Sequence, residues 1–462
     1  MPAPFSSPVD VAVVGAGVAG LAAARDLTAA GLTVEVLEAR DRIGGRVLTI
    51  RDPSVSIPLE IGAEFVHGGA PVTEGIVREA GVTIVDVTGD RFESTSDRLR
   101  PLDDFWERLD RVMRRLKSTR RDGSFAEFLA ARPGGASLAR ERGLAEQFVR
   151  GFHAADPARI SQRALADGGS PGDDESEQRQ GRVLEGYDRV PAHLARGLAR
   201  EVRLRSVVTG VRWTRGEVEL SARSADGRTG LPSLRARAVV VSVPLGVLQA
   251  PNGAEGAIAF TPALPRMKRD ALRGLAEGHV VRVAVVLDER VWLTLRPPAA
   301  RTGSSFERLS FVHAADGGMP VCWTAYPTDA PVLVAWFGGP DAESLARHGR
   351  AEIEQRAVDA VAGRLHIGAR RLERHVRACH THNWSADPFS RGAYSYAVVG
   401  GADAATRLAQ PVAGTLFFAG EAFDAEGRNG TVEGAIASGR RAAKQVVRAL
   451  ARRGVEGAAG SG

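Results

Sequence analysis

The chain has 462 residues, of which 44% are hydrophobic and 25% charged, proportions typical of a soluble globular protein. This length exceeds what one ordinary hydrophobic core holds, so it predicts two domains. The formal net charge is +6, but the basic residues are scattered and Asp and Glu number 55, which argues against the basic stripe expected of a nucleic-acid-binding protein.

The first predicted unit is a strand, a glycine-rich turn and a helix. Residues 9–14 are a β-branched run of strand length, the sequence GAGVAG follows at 15–20, and 21–30 is an Ala-rich helical segment. Gly15 permits the tight turn, Gly17 lets the backbone approach a pyrophosphate, and Gly20 lets the helix and the strand pack closely. The N-terminus of the helix is then expected to face the phosphates of a dinucleotide.

A second strand, residues 33–37, delivers Glu38 about 20 residues beyond the glycines. A carboxylate there accepts hydrogen bonds from both hydroxyls of an adenosine ribose and disfavours a 2′-phosphate, so NADP fits poorly. Residues 42–46, Arg-Ile-Gly-Gly-Arg, offer backbone amides and two arginines to a second phosphate, which favours FAD over NAD. The alternative for any glycine-rich turn is a purely structural connection between strand and helix.

Helical and strand patterns alternate along the rest of the chain. Residues 81–185 are helical and charged, with helical apolar spacing over 102–116, whereas 168–182 is polar and Gly-rich, which predicts a mobile loop. Strands are predicted at 207–213, 218–222, 236–243, 279–287, 311–313, 332–337 and 416–421, and helices at 342–364 and 431–450. The predicted domains are an FAD-binding domain (1–80, 186–265 and 380–450), a substrate-binding domain (81–185 and 266–379) and a flexible tail (451–462).

Several ordered segments resemble signatures of the flavin-dependent amine oxidase family, which includes monoamine oxidases, polyamine oxidases and lysine-specific histone demethylases. They are GAEFVHG at 62–68, GYDRV at 186–190, VPLGVL at 243–248, IAFTPALP at 258–265, GAYSY at 392–396, and FAGE at 418–421 with GTVEGA at 430–435. The resemblance covers nearly the whole chain. It implies an α/β fold with a Rossmann-like FAD-binding domain of the GR2 type and a second, α+β substrate domain built on a mixed sheet.

The resemblance also assigns cofactor contacts. The final helix would point its N-terminus at the flavin pyrimidine ring, where a helix dipole stabilises a reduced, anionic flavin. Glu421 would bond the ribityl chain or a water near the diphosphate, Trp384 would pack on the flavin, and the backbone of Val208 would bond adenine. The residues assigned to FAD are Gly15, Gly17, Ala19, Gly20, Glu38, Ala39, Arg40, Gly44, Gly45, Arg46, Gly62, Ala63, Glu64, Phe65, Val208, Trp384, Gly420, Glu421, Gly430, Thr431, Val432 and Ala435.

Three positions bear on substrate and cofactor attachment. Tyr394 stands where the family places one aromatic wall of a substrate cage, and the alternative is a tyrosine of the core. The opposite wall in monoamine oxidases is a second tyrosine, but Thr431 occupies that position here, so half of the cage is missing. Ala393 stands where monoamine oxidases attach the flavin through cysteine, which implies noncovalent FAD.

Two further residues are candidates for catalysis. His67 resembles a histidine that some polyamine oxidases place beside the substrate, where it would take a proton from a bound ammonium; the alternative is a histidine bonded to the backbone. Glu64, in the same turn, is expected to meet the flavin or Arg46. Arg282 occupies a position that is usually lysine in the family, and it indicates either drift in an Arg-rich chain or a weakened reaction with oxygen.

The predicted function is FAD-dependent oxidation of a small-molecule amine: hydride transfer from an amine C–H to flavin N5, hydrolysis of the imine to an aldehyde or ketone, and reduction of oxygen to hydrogen peroxide. Alternatives are an L-amino-acid oxidase or desaturase of the same superfamily, an amine dehydrogenase with another acceptor, or a flavin-binding interaction protein whose redox role has lapsed. The particular amine and the oligomeric state stay open.

The compartment is predicted from what the sequence contains. Cys322 and Cys379 are the only cysteines, too few for a disulfide framework and without metal-site spacing, so no metal is predicted. The first ten residues, MPAPFSSPVD, do not resemble a secretory leader, and no run of about 18 apolar residues occurs. We therefore expect a cytoplasmic protein without membrane or nucleic-acid partners.

Overall fold

A computed structural model describes residues 8–117, 121–168, 178–295 and 306–459. Its strands are β1 Val9–Val14, β2 Val34–Leu37, β3 Thr49–Ile50, β4 Leu59–Glu60, β5 Phe65–His67, β6 Ile84–Asp86, β7 Asp90–Ser94, β8 Leu99–Pro101, β9 Gln180–Val183, β10 Ser206–Thr214, β11 Glu217–Ser224, β12 Gly230–Val241, β13 Ala259–Thr261, β14 Leu275–Glu277, β15 Val280–Leu287, β16 Leu309–His313, β17 Val321–Thr324, β18 Val332–Gly338, β19 Val376–His380, β20 Ser395–Ala397 and β21 Leu416–Phe418.

The α-helices are α1 Val18–Ala29, α2 Pro71–Ala80, α3 Phe105–Met113, α4 Phe125–Ala130, α5 Ala139–Gly151, α6 Gln162–Asp167, α7 Arg189–Arg196, α8 Leu245–Leu248, α9 Arg266–Arg273, α10 Gly339–Leu345, α11 Arg350–Arg364, α12 Ala369–His375, α13 Ala404–Ala409 and α14 Val432–Ala459. None of these described helices is both long and apolar enough to cross a lipid bilayer.

The first large sheet carries the predicted dinucleotide unit. Its strand order is β13-β10-β11-β12-β1-β2, with β21 also beside β12, and the four strands β21, β12, β1 and β2 are parallel. Val11 and Val13 are buried in one core with α1 and α14, whereas Ala12 and Val14 are buried in a second core on the opposite face. A parallel strand covered on both faces explains why 9–14 is a continuous apolar run.

The second large sheet has the order β19-β15-β18-β17-β16-β7-β8 and is antiparallel except for the parallel pair β16 and β7. Residues of α10, α11 and α12 pack on one face. The other face packs against residues that follow β2 in the chain, including Leu59 and Ile61. The predicted α/β class with a second, mixed-sheet domain is therefore confirmed.

Several predicted boundaries differ from the structure. The helix predicted over 342–364 is two helices, because an extended backbone at Gly349 separates α10 from α11. The end of the predicted loop 168–182 forms strand β9, which β5 and β6 flank. Helix α14 continues to Ala459, so the first part of the predicted tail is helical.

The two large sheets divide the chain much as the predicted domains do. Strands of the first lie within 1–80, 186–265 and 380–450, and those of the second within 81–185 and 266–380. The domain boundaries themselves stay a prediction. Residues 169–177 lie outside the described residues. They include the acidic segment 173–177, which is the sequence's candidate for the entrance of a polycationic substrate.

Candidate active site

A continuous cavity of about 870 Å³ runs between the two large sheets. This volume lies within the range of roughly 300–1,000 Å³ that ligand and cofactor sites occupy. All of the site residues predicted from the sequence line it except Gly20: Gly15, Gly17, Ala19, Glu38, Ala39, Arg40, Gly44, Gly45, Arg46, Gly62, Ala63, Glu64, Phe65, His67, Val208, Arg282, Trp384, Tyr394, Gly420, Glu421, Gly430, Thr431, Val432 and Ala435. Tertiary folding thus brings together segments that are far apart in the chain.

The glycine-rich turn forms one end of the cavity. Gly15 has a φ of +103°, a conformation that favours glycine. A Cβ at Gly20 would lie 2.0 Å from the carbonyl oxygen of Gly15, so helix α1 can approach strand β1 only because this residue is glycine. Gly17, by contrast, has open space where its Cβ would be, and α1 begins directly after it without a side-chain cap. Free helix amides beside open space are suited to an anion such as a pyrophosphate.

Glu38 lies at the end of β2 and faces the same end of the cavity. Its side chain is only 4% exposed, and its carboxylate accepts hydrogen bonds from the backbone N–H groups of Ala16 (2.7 Å) and Arg40 (2.9 Å). A carboxylate has about four lone-pair sites, so capacity for two ribose hydroxyls remains. Val208 lies nearby at the irregularity in the pairing of β10 with β11.

The two arginines of the 42–46 segment have different surroundings. The guanidinium of Arg42 donates to the carbonyl oxygens of Gly45 (2.9 Å) and Ile43 (3.2 Å), so it braces its own loop and does not line the cavity. Arg46 does line the cavity, but its Nη2 lies 3.1 Å from Glu421 Oε1 and its Nη1 donates to the carbonyl oxygen of Ala393. The prediction that Arg42 binds a phosphate of the cofactor is therefore wrong.

Glu421 connects Arg46 to the start of the last helix. Its Oε2 accepts hydrogen bonds from the Ser395 hydroxyl (2.8 Å) and the Gly430 N–H (3.1 Å), and the residue is 5% exposed. A carboxylate so buried and hydrogen-bonded is not a solvated turn residue. Thr431 Oγ1 accepts from the Gly434 N–H (2.9 Å), so this hydroxyl caps helix α14 where a cage wall stands in monoamine oxidases.

Another part of the cavity lining is aromatic. We call it the aromatic chamber and define it by Phe65, Phe152, Phe311, Trp323, Trp336 and Tyr394. The Tyr394 hydroxyl donates to the carbonyl oxygen of Phe152 (2.6 Å), and its ring packs beside Gly430. Burial raises the pKa of this phenol, so Tyr394 stays neutral and serves as a fixed wall.

His67 lies at the edge of the aromatic chamber. Its ring centre is 5.4 Å from that of Phe152 and 5.8 Å from that of Phe65. Burial lowers the pKa of His67 to about 4, so the imidazole is neutral at physiological pH. No described residue hydrogen-bonds its ring, which speaks against the alternative of a histidine bonded to the backbone. A neutral imidazole open to the cavity can accept a proton.

Arg282 and Glu64 belong to a buried ion-pair cluster that also contains Arg182 and Trp323. Arg282 Nη2 lies 2.8 Å from Glu64 Oε2, and Arg182 donates to the other carboxylate oxygen. The Trp323 indole N–H also donates to Glu64 Oε2 (3.1 Å). Of the two expected partners of Glu64, Arg46 is therefore wrong, because Glu64 neutralises two other arginines, and contact with the flavin stays a prediction.

The sequence patterns missed most of the aromatic chamber and the cluster behind it. Arg182 and Trp323 lie in segments without a family signature, and Phe152 follows helix α5 in the charged helical region. No local signal identifies them, because their positions depend on contacts across hundreds of residues. Trp384, which was predicted, lines the cavity with its indole N–H donating to the carbonyl oxygen of Ile61 (3.1 Å).

The fold and the cavity have the features of a dinucleotide-binding protein. The chain belongs to the flavin-containing amine oxidoreductase family, whose model matches residues 18–447. The expected family resemblance and the expectation of an enzyme are thus confirmed.

Known relatives extend along most of the chain. It is 28% identical to "Probable polyamine oxidase 4" from Arabidopsis thaliana, covering 93% of this chain and 85% of the relative. It is also 28% identical to "Lysine-specific histone demethylase 1B" from Mus musculus, covering 94% of this chain and 52% of that longer protein.

Solved structures share the fold. Wild-type putrescine oxidase bound to putrescine superimposes with a TM-score of 0.77 at 23% identity, covering 96% of this chain and 99% of that one. Cyclohexylamine oxidase from Brevibacterium oxydans IH-35A gives a TM-score of 0.77 at 21% identity, covering 96% and 100%. At these identities the likeness establishes the architecture.

Proposed function

We propose that this protein binds FAD noncovalently and oxidises a small-molecule amine. The observation that carries the proposal is one cavity that joins an anion-binding glycine turn to an aromatic chamber. Gly17 leaves space for a pyrophosphate, Glu38 retains acceptors for a ribose, and the capped start of α14 lies at the chamber end. Neither Cys322 nor Cys379 lines the cavity, which supports noncovalent attachment.

The chemistry is that of the cofactor, and the chain binds, orients and excludes water. Bound FAD would supply the redox chemistry, in which a hydride is taken from the carbon next to the amine nitrogen and two electrons then pass to oxygen, giving hydrogen peroxide and an imine that hydrolyses to an aldehyde or ketone. Tyr394 would orient the amine as a fixed aromatic wall. His67 would take the proton that a bound ammonium must lose before it reacts, because an apolar chamber disfavours a charged ammonium as it disfavours a charged imidazole.

Arg282 bears on the electron acceptor. Its guanidinium lines the cavity while Glu64 and the carbonyl oxygen of Gly62 (3.2 Å) hold it in place. A planar guanidinium so held retains its charge but cannot deprotonate. This favours, as a second candidate, an amine dehydrogenase that passes electrons to an acceptor other than oxygen.

The test begins with the visible spectrum of the purified protein. A yellow protein that releases free FAD on denaturation supports the cofactor, and a colourless protein that takes up no added FAD refutes the proposal. Anaerobic mixing with amines, amino acids and polyenes then identifies the donor class by bleaching of the flavin band. Peroxide release in air separates the oxidase from the dehydrogenase, and bleaching by no donor would favour the redox-lapsed alternative.

A further inference from the structure

Arg91, on strand β7, lines the cavity beside the aromatic chamber. Its guanidinium carbon lies 4.5 Å from the centre of the Phe311 ring and 5.5 Å from the rings of Phe105 and Trp106. Two polar contacts accompany these rings: Nη2 donates to Gln180 Oε1 (3.1 Å), and Nη1 lies 3.3 Å from His313 Nε2. All of these neighbours are neutral groups or aromatic faces.

No carboxylate of the described residues forms an ion pair with Arg91. The acidic residues beside it in sequence pair elsewhere: Asp90 with Arg308 (3.7 Å) and Glu93 with Arg108 (3.3 Å) and Arg140 (3.2 Å). Burial lowers the pKa of Arg91 to about 10, which still leaves the group charged at neutral pH. A desolvated cation normally has a counter-ion, so a partly buried arginine that faces a cavity without one indicates a site for a ligand.

The carboxylates that line the cavity already have partners other than Arg91. Their partners are Arg182 and Arg282 for Glu64, Arg46 for Glu421, Arg428 for Asp424 and Arg163 for Asp167. Glu38 lies beside the glycine turn and accepts from two backbone N–H groups. Within the described part of the chain, the aromatic chamber therefore presents one uncompensated positive charge.

We propose that the substrate is an amine that carries a carboxylate at its far end, and that Arg91 binds this carboxylate. The inference rests on the proposed amine oxidation and narrows its substrate class. A guanidinium offers paired donors that match a carboxylate, and a low-dielectric, aromatic surround strengthens the bond. A diamine or polyamine would bring a second ammonium towards Arg91, and like charges in such a site repel.

The test compares, on the holoenzyme, amines of equal chain length that differ only in the group at the far end. Anaerobic flavin reduction is measured with butylamine, putrescine and 4-aminobutanoate, and with the corresponding five- and six-carbon series. We expect the amino acid to be the best donor and the diamine the worst at the best chain length. Arg91→Gln should lower kcat/KM for the amino acid by roughly 10- to 100-fold and leave the alkylamine within a few-fold. Arg266→Gln, at a surface position with an 89% exposed side chain, is the matched control.

A second measurement needs no turnover. Butanoate is titrated into the oxidised holoenzyme, and its binding is followed through the flavin spectrum and through competition with butylamine. We expect binding to weaken at least 10-fold in Arg91→Gln and to be unchanged in Arg266→Gln.

The outcomes separate the two proposals. If the alkylamine and the diamine reduce the flavin as well as or better than the amino acid, the carboxylate proposal is overturned and amine oxidation stands. If no amine reduces it, amine oxidation fails, and the butanoate titration still decides whether Arg91 binds a carboxylate. Should Arg91→Gln not fold, the ranking of the three tails in the unaltered protein decides whether the carboxylate proposal holds.

Discussion

Replacing Glu64 with glutamine tests the buried ion-pair cluster behind the aromatic chamber. Glu64 and Arg282 have side chains that are 5% and 3% exposed, and Arg182 is 13% exposed, so little water is available to solvate a charge left alone. Glu64→Gln keeps an acceptor for the Trp323 indole but removes the negative charge that, among the described residues, forms ion pairs with the two arginines. Breaking a buried pair by removing one partner costs roughly 3–5 kcal/mol. We expect a loss of unfolding free energy of that size.

The assay is urea-induced unfolding of holoprotein, followed by tryptophan fluorescence at fixed FAD concentration. The control is Glu79→Gln, whose carboxylate pairs with Arg25 at 2.9 Å but is 49% exposed, so its loss should cost no more than about 1 kcal/mol. Equal and small losses in both variants would refute the reasoning that Glu64 neutralises Arg182 and Arg282 in a desolvated site.

Three more predictions concern single residues. Glu38→Gln should weaken FAD binding by about 10-fold or more, because a charged acceptor for the ribose is lost; an unchanged Kd in a fluorescence titration of apoprotein would contradict this role. Burial raises the pKa of Glu60 to about 7, so its contribution to stability is fully present below about pH 4.5 and is lost as the pH rises through 7. Glu60→Gln should therefore gain stability relative to the unaltered protein across that window, by on the order of 3 kcal/mol at pH 8; parallel curves of unfolding free energy against pH would count against it. Arg282→Lys keeps the positive charge beside Glu64 in a smaller group and should speed reoxidation of reduced flavin by oxygen severalfold in stopped-flow measurements; no acceleration would rule out the weakened reaction with oxygen.

Sequence patterns predicted the dinucleotide unit well because its parts are contiguous. Strand β1, the turn and helix α1 lie within one short stretch, and each glycine has a local steric reason that can be read residue by residue. The long helix over 342–364 was predicted less well. Apolar spacing continues on both sides of Gly349, and only the backbone there shows the break.

The partners of charged residues were the least predictable part of the site. The sequence predicts the flavin or Arg46 as the partner of Glu64, yet Glu64 pairs with Arg282 and Arg182, and Arg46 pairs with Glu421. Arginine is abundant in this chain, so sequence spacing cannot select which guanidinium reaches a given carboxylate. That selection depends on which segments pack together.

The sequence by itself determined the glycine turn, the Glu38 position, the first two strands and membership of the flavin amine oxidoreductase family. These features depend on local backbone sterics and on residues that are near one another in the chain. Only the tertiary structure showed which residues form the aromatic chamber and which arginines pair with Glu64. It also showed that no carboxylate of the described residues pairs with Arg91. The physical reason is that burial and counter-ions are properties of packing: strands β5, β7, β15 and β17 meet there from distant parts of the chain.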